Sequence, residues 1–366
     1  MEEWKEYKLG DVLTIKYGKD HKQLADGDIP IYGSGGIMRY GERSLYDGPS
    51  ILIPRKGSLN NVIYADKPFW TVDTMFWSII NASIANPLFV YYSICKKDFA
   101  SLNVGSAVPS LTVPVIENID ILLPSKATQD KVVSVLKSLD DKIELNRHIN
   151  DNLEQQAQAL FNYYFIDTPE LLGEFSVGSL ADAANYVNGL AMQKYRPING
   201  EKGLPVLKIK ELGQGRIDSS SDFCSNEIDS YYKVYDGDVI FSWSGTLMVK
   251  IWCGGKCGLN QHLFKVSSKT TPKWFYYFWT KHHLDNFIRI AKDKAVTMGH
   301  IKRGELEKAE VLFPNNSVMK KLDTLMAPFL DQIIEKECEI RKLTLLRDTL
   351  LPKLISGELV INDINN

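Results

Sequence analysis

The same arrangement occurs twice along the chain, at a spacing of about 190 residues, which is too long for a solenoid repeat and indicates a duplicated domain. The first copy ends in Ile121-Leu122-Leu123-Pro124 and leads into a helical pattern from about Thr128 to Phe165. The second ends in Val311-Leu312-Phe313-Pro314 and leads into a similar pattern from about Val318 to Ile355. The segments that precede these patterns are rich in Gly, Ser, Trp and Tyr and differ much more from each other. The sequence therefore predicts two divergent globular domains, each followed by a matched long helix.

The two long helical patterns carry apolar residues at heptad spacing. The first seam contains Val132, Leu136, Leu139, Ile143, Leu153, Ala157 and Leu160, together with Asn146 and Asn150, whose buried amides would fix the register of a helix pair. The second contains Leu322, Leu325, Phe329, Ile333, Ile340, Leu343, Leu346 and Leu350. Seams of this length need burial, and antiparallel pairing of the two helices would provide it, although each seam could instead pack on its own domain.

The expected fold class is α+β, with two mixed α/β domains separated by two long antiparallel helices that form a coiled-coil spacer. The predicted boundaries give a first domain, a central helix, a second domain and a C-terminal helix with a tail, at residues 1–124, 125–168, 169–314 and 315–366. A length of 366 residues and a hydrophobic fraction of 44% suit two ordinary globular domains.

Two internal matches support the duplication. Asp47–Pro54 and Asp236–Trp243 each read as a turn that leads into an apolar strand. Asn86–Tyr92 and Thr271–Tyr277 each read as a short aromatic helix that begins with Asn or Thr before Pro, since Pro suits the first helical turn. Packing of a duplicated core accounts for these aromatic residues.

The charge distribution argues mildly against a DNA-binding protein that acts alone, because such domains are usually basic and this chain has a net charge of −2. Residues 171–313 carry 19 Lys and Arg against 15 Asp and Glu, whereas residues 1–124 carry 12 against 14. If the protein holds DNA, we expect partner proteins to supply much of the phosphate contact.

Several classes of protein are disfavoured by what the sequence lacks. No apolar run is long enough for a membrane span, and Met1–Lys5 does not resemble the start of a signal peptide. Five cysteines without a paired framework fit a reducing cytoplasm, which is the expected location. Cys253 and Cys257 have a spacing that suits zinc, but no second pair of ligands follows, so no metal site is predicted.

Motifs for catalysis are also missing. Asn86-Pro87-Leu88-Phe89 lacks the second proline of an adenine methyltransferase loop, and Gly33-Ser34-Gly35-Gly36 is neither a phosphate-binding loop nor a dinucleotide-binding motif. The six histidines form no helical pair of metal ligands beside a Glu. We therefore expect a non-catalytic protein.

Several long motifs closely resemble those of the specificity subunits of type I restriction–modification systems. Leu346–Leu359 resembles their C-terminal end, and Ile143–Asn150, continuing to Phe161, resembles their central helix. Motifs within the two domains resemble their target-recognition domains: Ile31–Gly36, Ile53–Ser58, Phe69–Thr74, Phe241–Thr246, Leu259–His262 and Thr297–Arg303. The resemblance covers almost the whole chain.

This resemblance implies a subunit that reads a bipartite double-stranded DNA target, one half with each domain. It also implies two modification (adenine methyltransferase) subunits that dock on the helices, and restriction (motor–nuclease) subunits in the restriction form. No cofactor is expected in this chain, since S-adenosylmethionine, magnesium and ATP would bind to the partners. The alternative is a DNA-binding or scaffold protein with paired readers and no enzymatic partner.

Base-reading candidates are basic or amide side chains near Gly-rich turns, because Arg and Lys recognise guanine and Asn and Gln recognise adenine. In the first domain they are Arg39, Arg43, Arg55, Lys56, Asn60 and Asn61, with Gly33, Ser34, Gly35 and Gly36 offering amides to phosphate. In the second domain they are Lys194, Arg196, Lys210, Trp243, Ser244, Gln261, His262, Lys302 and Arg303. Any one of the basic residues could instead be a solvated surface charge.

Overall fold

The computed structural model describes residues 4–105, 107–198, 200–293 and 300–361. The chain forms two compact units: unit 1 comprises Met1–Asp141 and Thr344–Asn366, and unit 2 comprises Lys142–Leu343. Each unit therefore contains one globular domain together with parts of both long helices. No helix within the described residues is long and apolar enough to cross a membrane.

The globular part of unit 1 is built from short strands and short helices. The strands are β1 (Lys5–Lys8), β2 (Leu13–Tyr17), β3 (Ile29–Gly33), β4 (Gly36–Gly41), β5 (Ser50–Pro54), β6 (Ile63–Ala65), β7 (Trp70–Thr71), β8 (Met75–Ile80) and β9 (Asp120–Leu123). The helices are α1 (Leu9–Val12), α2 (Pro87–Ile94) and α3 (Val113–Glu117), with a 3₁₀ turn at Phe99–Leu102. The central helix α4 (Lys126–Asn162) follows and ends in a π-helical turn, Tyr163–Asp167.

Unit 2 repeats this order of elements with a few additions. Its strands are β10 (Phe175–Ser179), β11 (Asn185–Asn188), β12 (Leu204–Leu207), β13 (Phe223–Cys224), β14 (Lys233–Val234), β15 (Asp238–Ser242), β16 (Met248–Trp252), β17 (Cys257–Leu259), β18 (Leu263–Ser267) and β19 (Glu310–Pro314). Its helices are α5 (Leu180–Ala183), α6 (Ile209–Gln214), α7 (Lys273–His282), α8 (Leu284–Asp293), α9 (Gly304–Lys308) and α10 (Asn316–Ile355). The 3₁₀ turns are Pro169–Leu172, Met192–Lys194 and Ser230–Tyr232.

The sheets of the two units have matching topology. A four-stranded sheet has the order β2-β8-β5-β6 in unit 1 and β11-β18-β15-β16 in unit 2. A second sheet has the order β4-β3-β7 in unit 1 and β13-β12-β17-β14 in unit 2. In these sheets β3 pairs in parallel with β7, and β12 pairs in parallel with β17. The first and last strands of each domain, β1 with β9 and β10 with β19, pair antiparallel. The duplication predicted from the sequence is therefore a duplication of fold.

The aromatic helices α2 and α7 lie over the cores of their own units. Asn86 caps α2, because its side chain accepts hydrogen bonds from the backbone N–H groups of Leu88 and Phe89. In α7 the residue before the helix is Pro272, so this helix begins one residue later than the match predicts. Thr271 instead donates its hydroxyl to the carbonyl oxygen of Ala183 at 2.7 Å.

The two long helices run antiparallel within each unit. In unit 1, Val132 and Leu136 of α4 share one buried core with Leu351 and Leu354 of α10. In unit 2, core residues Ala157 and Phe161 of α4 lie in one buried cluster with α10 residues Leu322, Met326 and Leu330. The predicted seam of α4 is buried at Val132, Leu136, Ile143, Asn146, Asn150 and Ala157.

The predicted seam of α10 is wrong at two positions. Leu325 and Leu346 are exposed, whereas Met326 and Leu330 are buried. Leucines occur on several faces of this helix, so heptad spacing alone does not identify the face that packs. The mixed α/β domains and the two long helices nevertheless confirm the expected fold class.

Candidate nucleic-acid interface

The ends of strands β5 and β15 are held by equivalent backbone hydrogen bonds. In unit 1 the N–H of Arg55 donates to the carbonyl oxygen of Thr74 at 2.8 Å, and the N–H of Leu111 donates to that of Arg55 at 2.9 Å. In unit 2 the N–H of Trp243 donates to the carbonyl oxygen of His262 at 3.4 Å, and the N–H of Ile301 donates to the carbonyl oxygen of Trp243 at 3.1 Å. Arg55 and Trp243 therefore occupy the same place in the two folds, one residue later than the turn-to-turn match suggests.

Further backbone contacts extend this equivalence. In unit 1 the N–H of Gly18 donates to the carbonyl oxygen of Met75 in β8, and in unit 2 the N–H of Gly189 donates to that of Leu263 in β18, both at 3.0 Å. The residues before these glycines, Tyr17 and Asn188, therefore correspond. A β-bridge joins Lys56 to Ser110 in unit 1, and another joins Ser244 to His300 in unit 2. We refer to the residues matched in this way as the paired positions. They are Tyr17/Asn188, Arg55/Trp243, Lys56/Ser244, Asp73/Gln261, Thr74/His262 and Ser110/His300.

Core neighbours of the paired positions keep one chemical class in both units. Ile53 pairs with Phe76 across the sheet of unit 1, and Phe241 pairs with Phe264 at the same place in unit 2. All four are buried. The paired positions differ in size, charge and hydrogen-bonding capacity at nearly every match. One backbone arrangement thus presents two different sets of polar side chains.

In unit 1 the paired positions form a group with a cation at its centre. The guanidinium carbon of Arg55 lies 5.5 Å from the ring centroid of Tyr17, and Nη1 of Arg55 donates to the carbonyl oxygen of Asp73 at 3.1 Å. Lys56 and Asp73 are exposed, and Tyr17 is 56% exposed. Arg and Lys can donate to guanine, and a carboxylate can accept from the amino group of cytosine.

In unit 2 the same positions carry an indole, amides and imidazoles. Nε1 of Trp243 donates to Oδ1 of Asn188 at 3.0 Å, and its ring lies 5.9 Å from His262 and 6.3 Å from His300. Nε2 of Gln261 lies 3.3 Å from Nε2 of His262. Nδ1 of His262 is buried and has no hydrogen-bond partner within the described residues. Ser244 is buried, so its backbone rather than its side chain supports the group.

The Gly-rich motif of unit 1 forms a tight hairpin beside Gly57, the residue after Lys56. Gly33 and Gly36 face each other at the end of β3 and β4, and Gly36 has a φ of 117°, which favours glycine. Nδ2 of Asn61 donates to the carbonyl oxygen of Ser34 at 2.9 Å, so the hairpin is tied to the loop after Lys56. A Cβ on Gly35 or Gly36 would meet no heavy atom within 4 Å, which leaves this backbone open to a ligand.

In unit 2 a cleft of about 270 Å³ reaches Asn260, the residue before Gln261. Its lining residues include Gln193, Arg196, Lys208, Asp222 and Asn260. Lys208 forms an ion pair with Asp222, and this pairing lowers the pKa of the carboxyl. Arg196 thus lies in this cleft, and Lys194 lies in the adjoining 3₁₀ turn.

Four candidates from the sequence are engaged within the protein. Arg39 donates to the carbonyl oxygens of His21 and Leu24 at 2.7 and 2.8 Å, and to Asp26 at 3.0 Å. The remaining three make the following contacts: Arg43 lies 5.9 Å from the ring centroid of Trp70, Asn60 donates to Asp98 at 3.0 Å and Lys210 forms an ion pair with Asp218 at 3.0 Å. These side chains brace loops and would have to leave their partners to contact a base.

The remaining candidates follow His300 in unit 2. Lys302 is exposed, and Arg303 is the residue that precedes helix α9. Thr297, Met298 and Gly299 of the same motif lie outside the described residues. Within the described residues no group of three or more His, Cys, Asp or Glu side chains is arranged to hold a metal ion.

Sequence reasoning missed half of the paired positions. The base-reading candidates from the sequence do not include Tyr17, Asp73, Thr74, Ser110, Asn188 and His300. Three of these, Asp73, Thr74 and His300, nevertheless lie within motifs that resemble target-recognition domains. The signal that identifies them is the backbone hydrogen bonding that aligns one domain with the other.

Two copies of one α/β fold, with similar cores and different polar surfaces, define a protein with two related binding modules on long helices. The chain matches the family described as "Type I restriction modification DNA specificity domain" over residues 1–155 and again over 173–347. It therefore belongs to this family, and the resemblance in sequence motifs is confirmed.

Individual relatives agree with this assignment. The type I restriction enzyme MjaIX specificity subunit of Methanocaldococcus jannaschii is 26% identical over 394 residues, which cover 98% of this chain and 89% of that protein. The HindI specificity subunit of Haemophilus influenzae is 25% identical over 46% of this chain and 42% of its own length. A type I S subunit from M. genitalium has the same fold, with a TM-score of 0.63, 14% identity and coverage of 97% of this chain and 96% of that one.

Proposed function

We propose that this chain is the DNA sequence-specificity subunit of a type I restriction–modification complex. The observation that carries the proposal is the pair of specificity domains, which share one backbone arrangement and differ in their polar surface side chains. Two such domains suit a split and asymmetric target, because each can read its own half-site. We take residues 1–124 and 169–314 as the two reading domains.

The chain supplies the choice of sequence, and its partners perform the chemistry. Two methyltransferase subunits dock on the long helices and methylate adenines, and motor–nuclease subunits join in the restriction form. S-adenosylmethionine, magnesium and ATP bind to those partners. The net charge of −2 supports this division, since a DNA reader without surplus positive charge gains affinity from partners that contact phosphates.

Arg and Lys residues around the paired positions would hold the backbone of the DNA, while the paired positions face the bases. The open hairpin at Gly33–Gly36 would offer amide groups to a phosphate in unit 1. In unit 2 the charged side chains of Arg196, Lys302 and Arg303 would contact the phosphates. Such contacts fix the position of a protein on DNA, whereas contacts with base edges supply its specificity.

Adenine methylation in cells tests the proposal. The chain is expressed with its modification subunit in a host that lacks adenine methylation, and modified adenines are mapped across the genome. We expect one split motif to be methylated only when both proteins are present. Methylation without this chain would contradict the proposal. Tight, specific binding of the purified chain to DNA, with no methylation in the co-expressing cells, would favour a reader without enzymatic partners.

A further inference from the structure

The paired positions offer a more specific assignment than the reading domains as a whole. We propose that these six matched positions determine the base sequence of each half-site, with Arg55 reading a guanine in one half and Gln261 reading an adenine in the other. This inference rests on the proposed function. It goes beyond that function because it assigns the choice of base to named side chains.

On the same backbone, the buried positions keep their apolar character while the positions nearer the surface change. Ile53, Phe76 and Leu111 are matched in unit 2 by Phe241, Phe264 and Ile301, and all six are buried. The matched residues that reach the surface are exposed or half-buried, and they change from cation to indole at Arg55/Trp243 and from carboxylate to amide at Asp73/Gln261. A fold that keeps its core and changes its polar surface residues in one place can take a different ligand there.

Within each unit, the side chains at two of the paired positions contact each other. Arg55 lies over the ring of Tyr17, and Trp243 donates to Asn188 at the same two backbone positions. Such contacts limit the freedom of the side chains, so that less conformational entropy is lost when a base is bound. Side chains scattered over a surface without a common role would not contact each other at equivalent backbone positions in both units.

Arg55 keeps hydrogen-bond donors that no other part of the protein uses within the described residues. Arg55 has five N–H donors, and within the described residues its guanidinium forms one hydrogen bond, to Asp73. It can therefore still present two donors to the O6 and N7 atoms of a guanine. Arg39, by contrast, uses its guanidinium on His21, Leu24 and Asp26.

The chemistry of unit 2 points to a different base. Its paired positions contain no Lys or Arg, and Gln261 is a half-buried amide that contacts His262. A Gln side chain donates to N7 and accepts from N6 of adenine in one plane. His262 contacts Gln261 and can hold that amide in a fixed orientation.

The test uses the co-expressed complex and maps methylated motifs for single variants. Arg55→Ala should relax a guanine position in one half-site by about fivefold or more, since a bidentate pair with a base discriminates at least to that extent. Gln261→Ala should relax an adenine position in the other half-site. In each case the untouched half-site should stay strict, which shows that the chain has folded and assembled.

Matched controls remove similar side chains from elsewhere on the same domains. Lys67 and Gln214 are exposed and lie outside the paired positions, so Lys67→Ala and Gln214→Ala should leave both half-sites unchanged. A wild-type motif in the Arg55→Ala variant, or the same relaxation with Lys67→Ala, would overturn this inference while the proposed function stands. No methylation with the wild-type chain would overturn both.

Discussion

Arg347 of helix α10 donates to Asp140 of helix α4 at 2.7 Å, and the hydroxyl of Tyr92 donates to the second oxygen of the same carboxylate at 2.6 Å. Arg347 also pairs with Asp348 at 2.8 Å. One carboxylate therefore connects both long helices and the aromatic helix α2 in unit 1. The side chains of Asp140 and Arg347 are 32% and 23% exposed, so the pair is partly shielded from water.

Loss of this pair should destabilise unit 1. Arg347→Ala leaves the carboxylate of Asp140 with one donor fewer in a partly buried place, and we expect the free energy of unfolding to fall by about 1–2 kcal/mol. Urea denaturation followed by tryptophan fluorescence measures this. Arg147→Ala removes an exposed partner of Glu144 and should change the free energy by about 0.5 kcal/mol or less. Equal effects of the two variants would contradict this role of Arg347.

Arg39 should act on the stability of a loop rather than on the choice of bases. Its guanidinium holds the carbonyl oxygens of His21 and Leu24, so Arg39→Ala should loosen residues 18–28. We expect faster cleavage within this segment in limited proteolysis, and an unchanged methylated motif. An unchanged cleavage rate together with a relaxed motif would instead make Arg39 a base contact.

The buried amide of Asn146 should lower the stability of the helix pair in unit 2. Asn146 is fully buried, and its amide lies close enough to Glu339 to help lower the pKa of that carboxyl, but within the described residues neither amide atom has a hydrogen bond of full geometry. Asn146→Leu should therefore raise the free energy of unfolding by about 1–2 kcal/mol. The exposed control Asn152→Leu should change it by about 0.5 kcal/mol or less. A less stable Asn146→Leu variant would show that the amide is satisfied by a group such as bound water.

Acid should weaken the contact between α10 and the domain of unit 2. Arg341 donates to both oxygens of Asp236, at 2.6 and 2.8 Å, and this holds the pKa of the carboxyl below its ordinary value of 3.8. A carboxyl with a lowered pKa in the folded state stabilises the fold fully above its ordinary pKa, and loses that effect as the pH falls through the lowered value.

We therefore expect the difference in unfolding free energy between the wild type and Asp236→Asn to be largest near neutral pH. It should shrink as the pH falls below about 4. Urea denaturation at pH 7, 5, 4 and 3 measures the difference, and Glu307→Gln, at an exposed carboxyl, serves as a control. A difference that grows on acidification would contradict the assignment of this ion pair.

Much of the fold could be predicted because duplication leaves local signals. The motifs that end at Pro124 and Pro314 predict a domain boundary and a helix in each half, and α4 and α10 follow them. The cap at Asn86 could be predicted because Asn before Pro sets the start of a helix by local hydrogen bonds. Leu325 and Leu346 could not be assigned correctly, since the exposed and buried leucines of α10 have the same chemistry.

The candidate site was harder to predict for a different reason. Arg55 and Trp243 were both singled out, but as separate residues in separate motifs. Their equivalence depends on hydrogen bonds to Thr74 and His262, which lie equally far along the chain from Arg55 and from Trp243, whereas the turn-to-turn match of the two sequences is one residue out of register. Only the folded backbone aligns them, and the alignment then brings Tyr17 and Asn188 into the site.

The exchange of one reading domain tests the central claim most directly. Residues 1–124 are replaced with the first domain of another member of the family, and the methylated motif is mapped after expression with the same modification subunit. Two independent readers predict that one half of the motif changes and that the other half stays identical. If both halves changed together, or if neither did, the assignment of one half-site to each domain would be contradicted.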